Sequence, residues 1–163
     1  MRRLINRIFK HNSSDRQLLL QLEHLLGFTP GNMAYYQLAF MHRSKPEDAT
    51  SSNERLEFLG DRVLGLAIAE LLFEKFPQAE EGEMSRRFAD LVRKETCAKV
   101  ARHWEIGPHL HLGPSEQRSG GRDRTAILGD ACEALIAAVF LDAGYDAARA
   151  LVFRGFAELI VET

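Results

Sequence analysis

The run Asn53-Glu54-Arg55-Leu56-Glu57-Phe58-Leu59-Gly60-Asp61 decides how this chain folds. Its acids Glu54, Glu57 and Asp61 are three and four residues apart, a spacing that stacks side chains on one face of a helix. Leu56, Leu59, Val63 and Leu66 point roughly the other way, which predicts a core-facing stripe. From Asn53 to about Phe76 only Gly60 and Gly65 interrupt the pattern, and Pro77 supplies the stop. The reading is a long helix with one apolar side and one acidic side.

The same device recurs downstream in Leu128-Gly129-Asp130-Ala131-Cys132-Glu133-Ala134-Leu135. Here Asp130 and Glu133 share a face, while Leu128, Cys132, Leu135 and Val139 share another. This helix is predicted from Asp123 to Asp142 or Ala143, closed by Gly144. For either cluster alone, a solvated helix face is the simpler reading. Two matched clusters, each opposite an apolar stripe, favour a common purpose: if the helices pack side by side, four carboxylates converge.

The rest of the chain reads as further helix. Asp15 caps a segment whose Leu18, Leu19, Leu22, Leu25 and Leu26 recur at helical spacing, with Gly27 ending it and Thr29 to Asn32 forming a turn. A short helix through Tyr35, Leu38 and Ala39 leads to Arg43-Ser44 and a polar loop, Lys45 to Ser52. Glu83 to Trp104 reads as one helical run closed by Gly107-Pro108, His109 to Arg122 as loop, and Asp146 to Val161 as the last helix. No convincing period-two strand appears. The expected fold is all-α with about seven helices.

At 163 residues and 45% hydrophobic content, the chain is long enough for one core. The expected organisation is a basic extension over residues 1–14 (Arg2, Arg3, Arg7, Lys10, with no acid before Asp15) and one domain over 15–163. The longest apolar stretches, such as Ala134 to Leu141, are far too short to span a bilayer, and no secretory signal is evident. A soluble, cytoplasmic protein is expected. Cys97 and Cys132 lack zinc-ligand spacing and read as reduced core thiols. The formal charge of −2 argues against coating nucleic acid by bulk electrostatics, yet the charge is segregated. A second basic set (Arg86, Arg87, Arg93, Lys94, Lys99, Arg102) follows an acidic stretch.

Converging carboxylates repel and take up protons unless a cation neutralises them. Oxygen donors without Cys or His select Mg²⁺, or Mn²⁺, over zinc. A divalent ion on such a scaffold suits phosphodiester hydrolysis, by activating water and stabilising charge on the transition state.

The run 53–61 resembles the signature of the ribonuclease III family, and Asp130, Glu133, Ala134 and Leu135 match the family's second motif. Phe76-Pro77, Glu81 to Ser85, Leu112-Gly113 and Ser119-Gly120-Gly121 fall between them in the family's order. The resemblance covers roughly residues 15 to 160. It implies that Glu57, Asp61, Asp130 and Glu133 bind metal and serve catalysis, with Glu54 and Glu81 as accessory acids. It implies cleavage of double-stranded RNA, not DNA, leaving 5′-phosphate and 3′-hydroxyl ends with short 3′ overhangs. It also implies a homodimer in which Phe58 plugs into the partner; Phe58 lies off the core face and would be exposed unless another element or subunit covered it.

Met41 and Arg62 depart from the family's usual residues without removing a carboxylate. The sequence ends at Thr163, where most bacterial members continue into a double-stranded-RNA-binding domain, so RNA affinity is expected to be weak and salt-sensitive. Arg86, Arg87, Arg118, Arg122 and Arg124 are the candidates for RNA contact. The runner-up reading is a non-catalytic RNA- or ribosome-binding module; a third is a helical interaction protein whose acids are merely solvated. His109 and His111 read as surface histidines, Gly120-Gly121 as a flexible turn and Trp104 as a core residue.

Overall fold

A computed structural model describes residues 13–45 and 52–161. The basic stretch at 1–12 and the polar loop at 46–51 lie outside the described residues. Every regular element among the described residues is helical, apart from an isolated β-bridge between Met41 and His111. The all-α expectation holds. No helix is long and apolar enough to cross a membrane.

The chain divides between Met33 and Ala34 into two compact units. The first contains α1 (Ser13–Leu26), on which Leu18, Leu22 and Leu26, four apart, are buried. Gly27 ends it at φ +79°, a conformation glycine adopts without steric cost, and its N–H returns to the Glu23 carbonyl.

The second unit is built around α3 (Glu54–Lys75) and α7 (Thr125–Ala143), which follow in sequence the short α2 (Met33–Ala39) and, for α7, the intervening α4 (Glu81–Val92), α5 (Lys94–His103) and α6 (Pro114–Arg118). α8 (Tyr145–Phe156) closes the order, and 3₁₀ turns lie at Gly107–His109, Gly121–Asp123 and Leu159–Val161. The most extensive packing is between α3 and α7, and next between α5 and α7. Leu64, Ala67, Ile68, Leu71 and Leu72 of α3 are buried, as is nearly all of α7 from Ile127 to Val139. Each large aliphatic side chain so removed from water contributes about 1.5–3 kcal/mol. That α7 is apolar almost all round is what a helix at the centre of a bundle requires.

Five expectations change. Leu66 is exposed rather than core-facing: at about 3.6 residues per turn it is carried round toward Phe73, away from Leu56 and Val63. The run Glu83 to Trp104 is two helices, broken where Arg93 turns extended (φ −67°, ψ 155°). At the break, Thr96 Oγ1 and Cys97 Sγ donate to the Asp90 and Val92 carbonyls left by α4. The stretch His109 to Arg122 contains the short α6, and the helix expected from Asp123 begins at Thr125 after a 3₁₀ turn. His109 and His111 are half-buried, His109 lying 6.2 Å from the Phe40 ring and the His111 carbonyl accepting from His42 N–H.

Other expectations hold. Trp104 is buried, Cys97 and Cys132 are free buried thiols, and Gly144 ends α7 at φ +83°.

Candidate active site

Two glycines set the site. A β-carbon on Gly60 would lie 1.8 Å from the carbonyl oxygen of Glu133, so α3 and α7 meet there at a separation that no side chain permits. One turn away, a β-carbon on Gly129 would fall 2.4 Å from Cδ of Lys94. The first glycine brings the acidic faces of α3 and α7 together, and the second makes room for a lysine stem lying across α7.

Oxygens of Glu57, Asp130 and Glu133 consequently lie within 4.8 Å of one another. They stand in an open cleft of about 520 Å³ that is also lined by Arg43, Glu54, Phe58, Asp61, Arg62, Val92 and Lys94. Asp61 belongs to the cleft but not to the tight triad, and its carboxylate pairs with Arg62 at 2.8 Å. Glu54 sits at the rim, accepting from Ser52 Oγ at 3.0 Å and pairing with Arg43 at 3.4 Å. Asn53 anchors this end of α3: its side-chain amide donates to the Ala39 carbonyl and its backbone N–H to that of Met41.

Lys94 is the cation at the centre. Its Nζ donates to Asp130, to Glu57 at 3.2 Å and to Glu133 at 3.4 Å. Burial alone would lower its pKa, but the hydrogen bond to Asp130 and the charges of Glu133, Asp130 and Glu57 outweigh burial and raise it. Glu133, 5% exposed, is pushed up to about 7 by desolvation, against the pull of Lys94 and with further repulsion from Asp61 and Glu57. Glu57 is raised for the same first reason, burial, followed by repulsion from Asp130. The triad thus carries more negative charge than one ammonium relieves.

Other sequence candidates lie elsewhere in the chain. Glu81 opens α4, accepts from Ser85 Oγ at 2.7 Å and lines a separate apolar groove with Ala69, Leu72, Phe73, Met84 and Phe88. None of the five arginines expected to meet RNA lines the cleft. Arg87 pairs with Glu83 at 2.9 Å and stacks on Phe76, and Arg124 pairs with Glu116 at 2.8 Å. Arg122 Nη1 donates to the carbonyls of Gly107, Pro108 and Leu110, which ties down the loop before α6. Arg86 and Arg118 are exposed. Among the described residues, the cations that reach the cleft are Arg43, Arg62 and Lys94. Sequence reasoning passed over Lys94 within a basic run; the glycine next to Asp130 was the available signal.

Phe58 is 65% exposed beneath the Arg62 guanidinium, 3.9 Å from its ring centroid. Leu66 (58%) and Phe73 (72%) continue this apolar strip along α3 to the groove beside α4.

A family model described as ribonuclease-III-like matches residues 32–159. The chain belongs to the ribonuclease-III-like family. Within it, the chain is 49% identical over 144 residues to ribonuclease 3 of Azorhizobium caulinodans, an alignment covering 86% of this chain and 61% of that protein. It is 57% identical over 122 residues to ribonuclease 3 of Rhodobacter capsulatus, covering 75% and 54% respectively. The chain therefore spans only about half to three-fifths of the length of these curated relatives. The nuclease domain of ribonuclease III from Campylobacter jejuni superposes with a TM-score of 0.80 at 36% identity, over 85% of this chain and 95% of that one. That structure is described as flexible in a region involved in dimer formation. The ribonuclease-III-like match spans the helices that carry Glu57, Asp61, Asp130 and Glu133.

Proposed function

We propose that this chain is a divalent-metal-dependent endoribonuclease that cuts double-stranded RNA as a homodimer. The observation that carries the reading is the convergence of Glu57, Asp130 and Glu133 across the α3–α7 contact, in a family whose named relatives are ribonucleases.

The donor set fits the ion: three carboxylates on rigid helices, one partly protonated by its surroundings, with no thiol or imidazole among them. A divalent cation held there, Mg²⁺ or Mn²⁺, supplies the Lewis acidity that polarises a phosphodiester and acidifies an attacking water. Glu57, Asp130 and Glu133 would hold the ion, and Asp61, which lines the same cleft, would be the fourth carboxylate available to it. Arg43 and Arg62, at the rim, meet phosphate oxygens and so supply affinity without sequence preference. The aromatic Phe58 and the strip through Leu66 and Phe73 bury against the same surface of a second copy, an isologous contact.

The test is incubation of the protein with long double-stranded RNA, single-stranded RNA and double-stranded DNA at low salt, with Mg²⁺ or EDTA, beside Glu133→Gln. Cleavage of double-stranded RNA alone, dependent on Mg²⁺ and lost in the variant, is the expected result. RNA binding without cleavage under every metal and salt condition would replace this reading with a non-catalytic RNA- or ribosome-binding module.

A further inference from the structure

The five carboxylates of the cleft do not share its three cations evenly. Arg43 is engaged with Glu54 and Arg62 with Asp61. That leaves the Lys94 ammonium facing Glu57, Asp130 and Glu133, with its Nζ in hydrogen-bond reach of each. These are the same three residues whose oxygens cluster closely enough to hold a metal ion. Two cations cannot occupy one small oxygen cage, because each needs the same lone pairs and the two repel at short range.

The lysine's position is built rather than incidental. Its stem lies over Gly129, where any β-carbon would strike Cδ at 2.4 Å and Cγ at 2.8 Å. Its backbone begins α5 immediately after the extended Arg93, which fixes the root of the side chain beside the cleft.

We propose that Lys94 is a tethered competitor of the divalent ion: its ammonium holds the Glu57–Asp130–Glu133 cage together and must leave it for the metal to bind, so the residue sets the metal affinity of the site. This rests on the metal-site reading above. A divalent ion neutralises three carboxylates more fully than one ammonium does, so the exchange is electrostatically favourable, but the metal must displace existing charge-assisted hydrogen bonds. The lysine is a positioning residue: it acts on the metal through the carboxylates.

The experiment is calorimetric titration of Mn²⁺, then Mg²⁺, into the wild-type protein and Lys94→Met at one pH and salt concentration. Loss of the competitor is expected to tighten the metal Kd roughly tenfold, about the worth of one charge-assisted hydrogen bond. An unchanged or weaker Kd in the variant, with wild-type binding intact, overturns the competition and leaves the metal site standing. Absence of binding to the wild type removes the metal-site reading and this inference with it.

Because Lys94→Met leaves the carboxylates facing one another and so disfavours folding, a second measurement uses the wild type alone. Lysines are reductively methylated with formaldehyde and borohydride, with and without saturating Mg²⁺, and mapped by mass spectrometry. Lys94 is expected to be protected without added metal and to become reactive with it, while Lys75 and Lys99 stay constant. Equal protection in both conditions, where calorimetry registers Mg²⁺ binding, overturns the proposal.

Discussion

Gly60 rests directly on the backbone of Glu133, with room for a hydrogen and nothing larger. The contact fixes the distance between two helices at the very turn where their acids face each other. Gly60→Ala must therefore push α3 from α7, and because the obstacle is a carbonyl rather than a mobile side chain, the cost is at the upper end of overpacking, about 3 kcal/mol. Urea unfolding reads the loss, and Mn²⁺ titration of any folded fraction should show weakened binding because the triad is spread.

Glu133 makes metal-free stability pH-dependent. Its folded pKa of about 7 lies above the ordinary glutamate value, so the folded state holds a proton that the unfolded state has released. The associated stability is fully present below the unfolded pKa and is lost as pH rises through about 7. In EDTA, Glu133→Gln should melt higher than wild type at pH 8, by an amount on the order of 1–3 kcal/mol, and the gap should close toward pH 5. A constant gap between pH 5 and 8 would show that Glu133 does not titrate in this range.

The strip on α3 gives the assembly test. Phe73→Asp and Leu66→Asp place charge on residues already in water, so the protomer should keep its stability while self-association weakens. Sedimentation velocity distinguishes the outcomes: a shift to monomer supports the α3 face, and an unaltered dimer locates the interface elsewhere.

Arg122 separates a loop-holding role from RNA contact. Truncation to Ala deprives three carbonyls of their donor and should cost about 1–3 kcal/mol in stability. Arg62→Ala, in the cleft, should instead lower RNA affinity and flatten its salt dependence with little effect on folding. Electrophoretic shifts at several salt concentrations compare the two.

The helical class and the two acidic faces were legible because both depend on spacing within a single helix, as Glu54, Glu57 and Asp61 illustrate. Between-helix facts were not. The break at Arg93 is hidden because Leu91, Cys97 and Val100 keep the apolar pattern running through it. Arg122 reads as a surface cation until the carbonyls it meets, twelve to fifteen residues earlier in the chain, are known. Asp61 carries the same spacing as its neighbours, yet it stands outside the tight triad and pairs with Arg62, one residue on. Lys94 is the clearest case: nothing near it in sequence announces three carboxylates that come from positions 57, 130 and 133.

The seat of Lys94 over Gly129 ties two distant positions to one fate. A sequence that acquires alanine at 129 closes the channel in which the lysine lies, so it must first trade residue 94 for something short. A sequence that already carries a short residue at 94 can fill 129, because only the backbone oxygen of residue 94, 3.1 Å from the new β-carbon, then has to give by a few tenths of an ångström. Substitutions at the two sites should therefore travel in a fixed order along any lineage of this fold, long-with-glycine passing to short-with-alanine through short-with-glycine and never by the other corner.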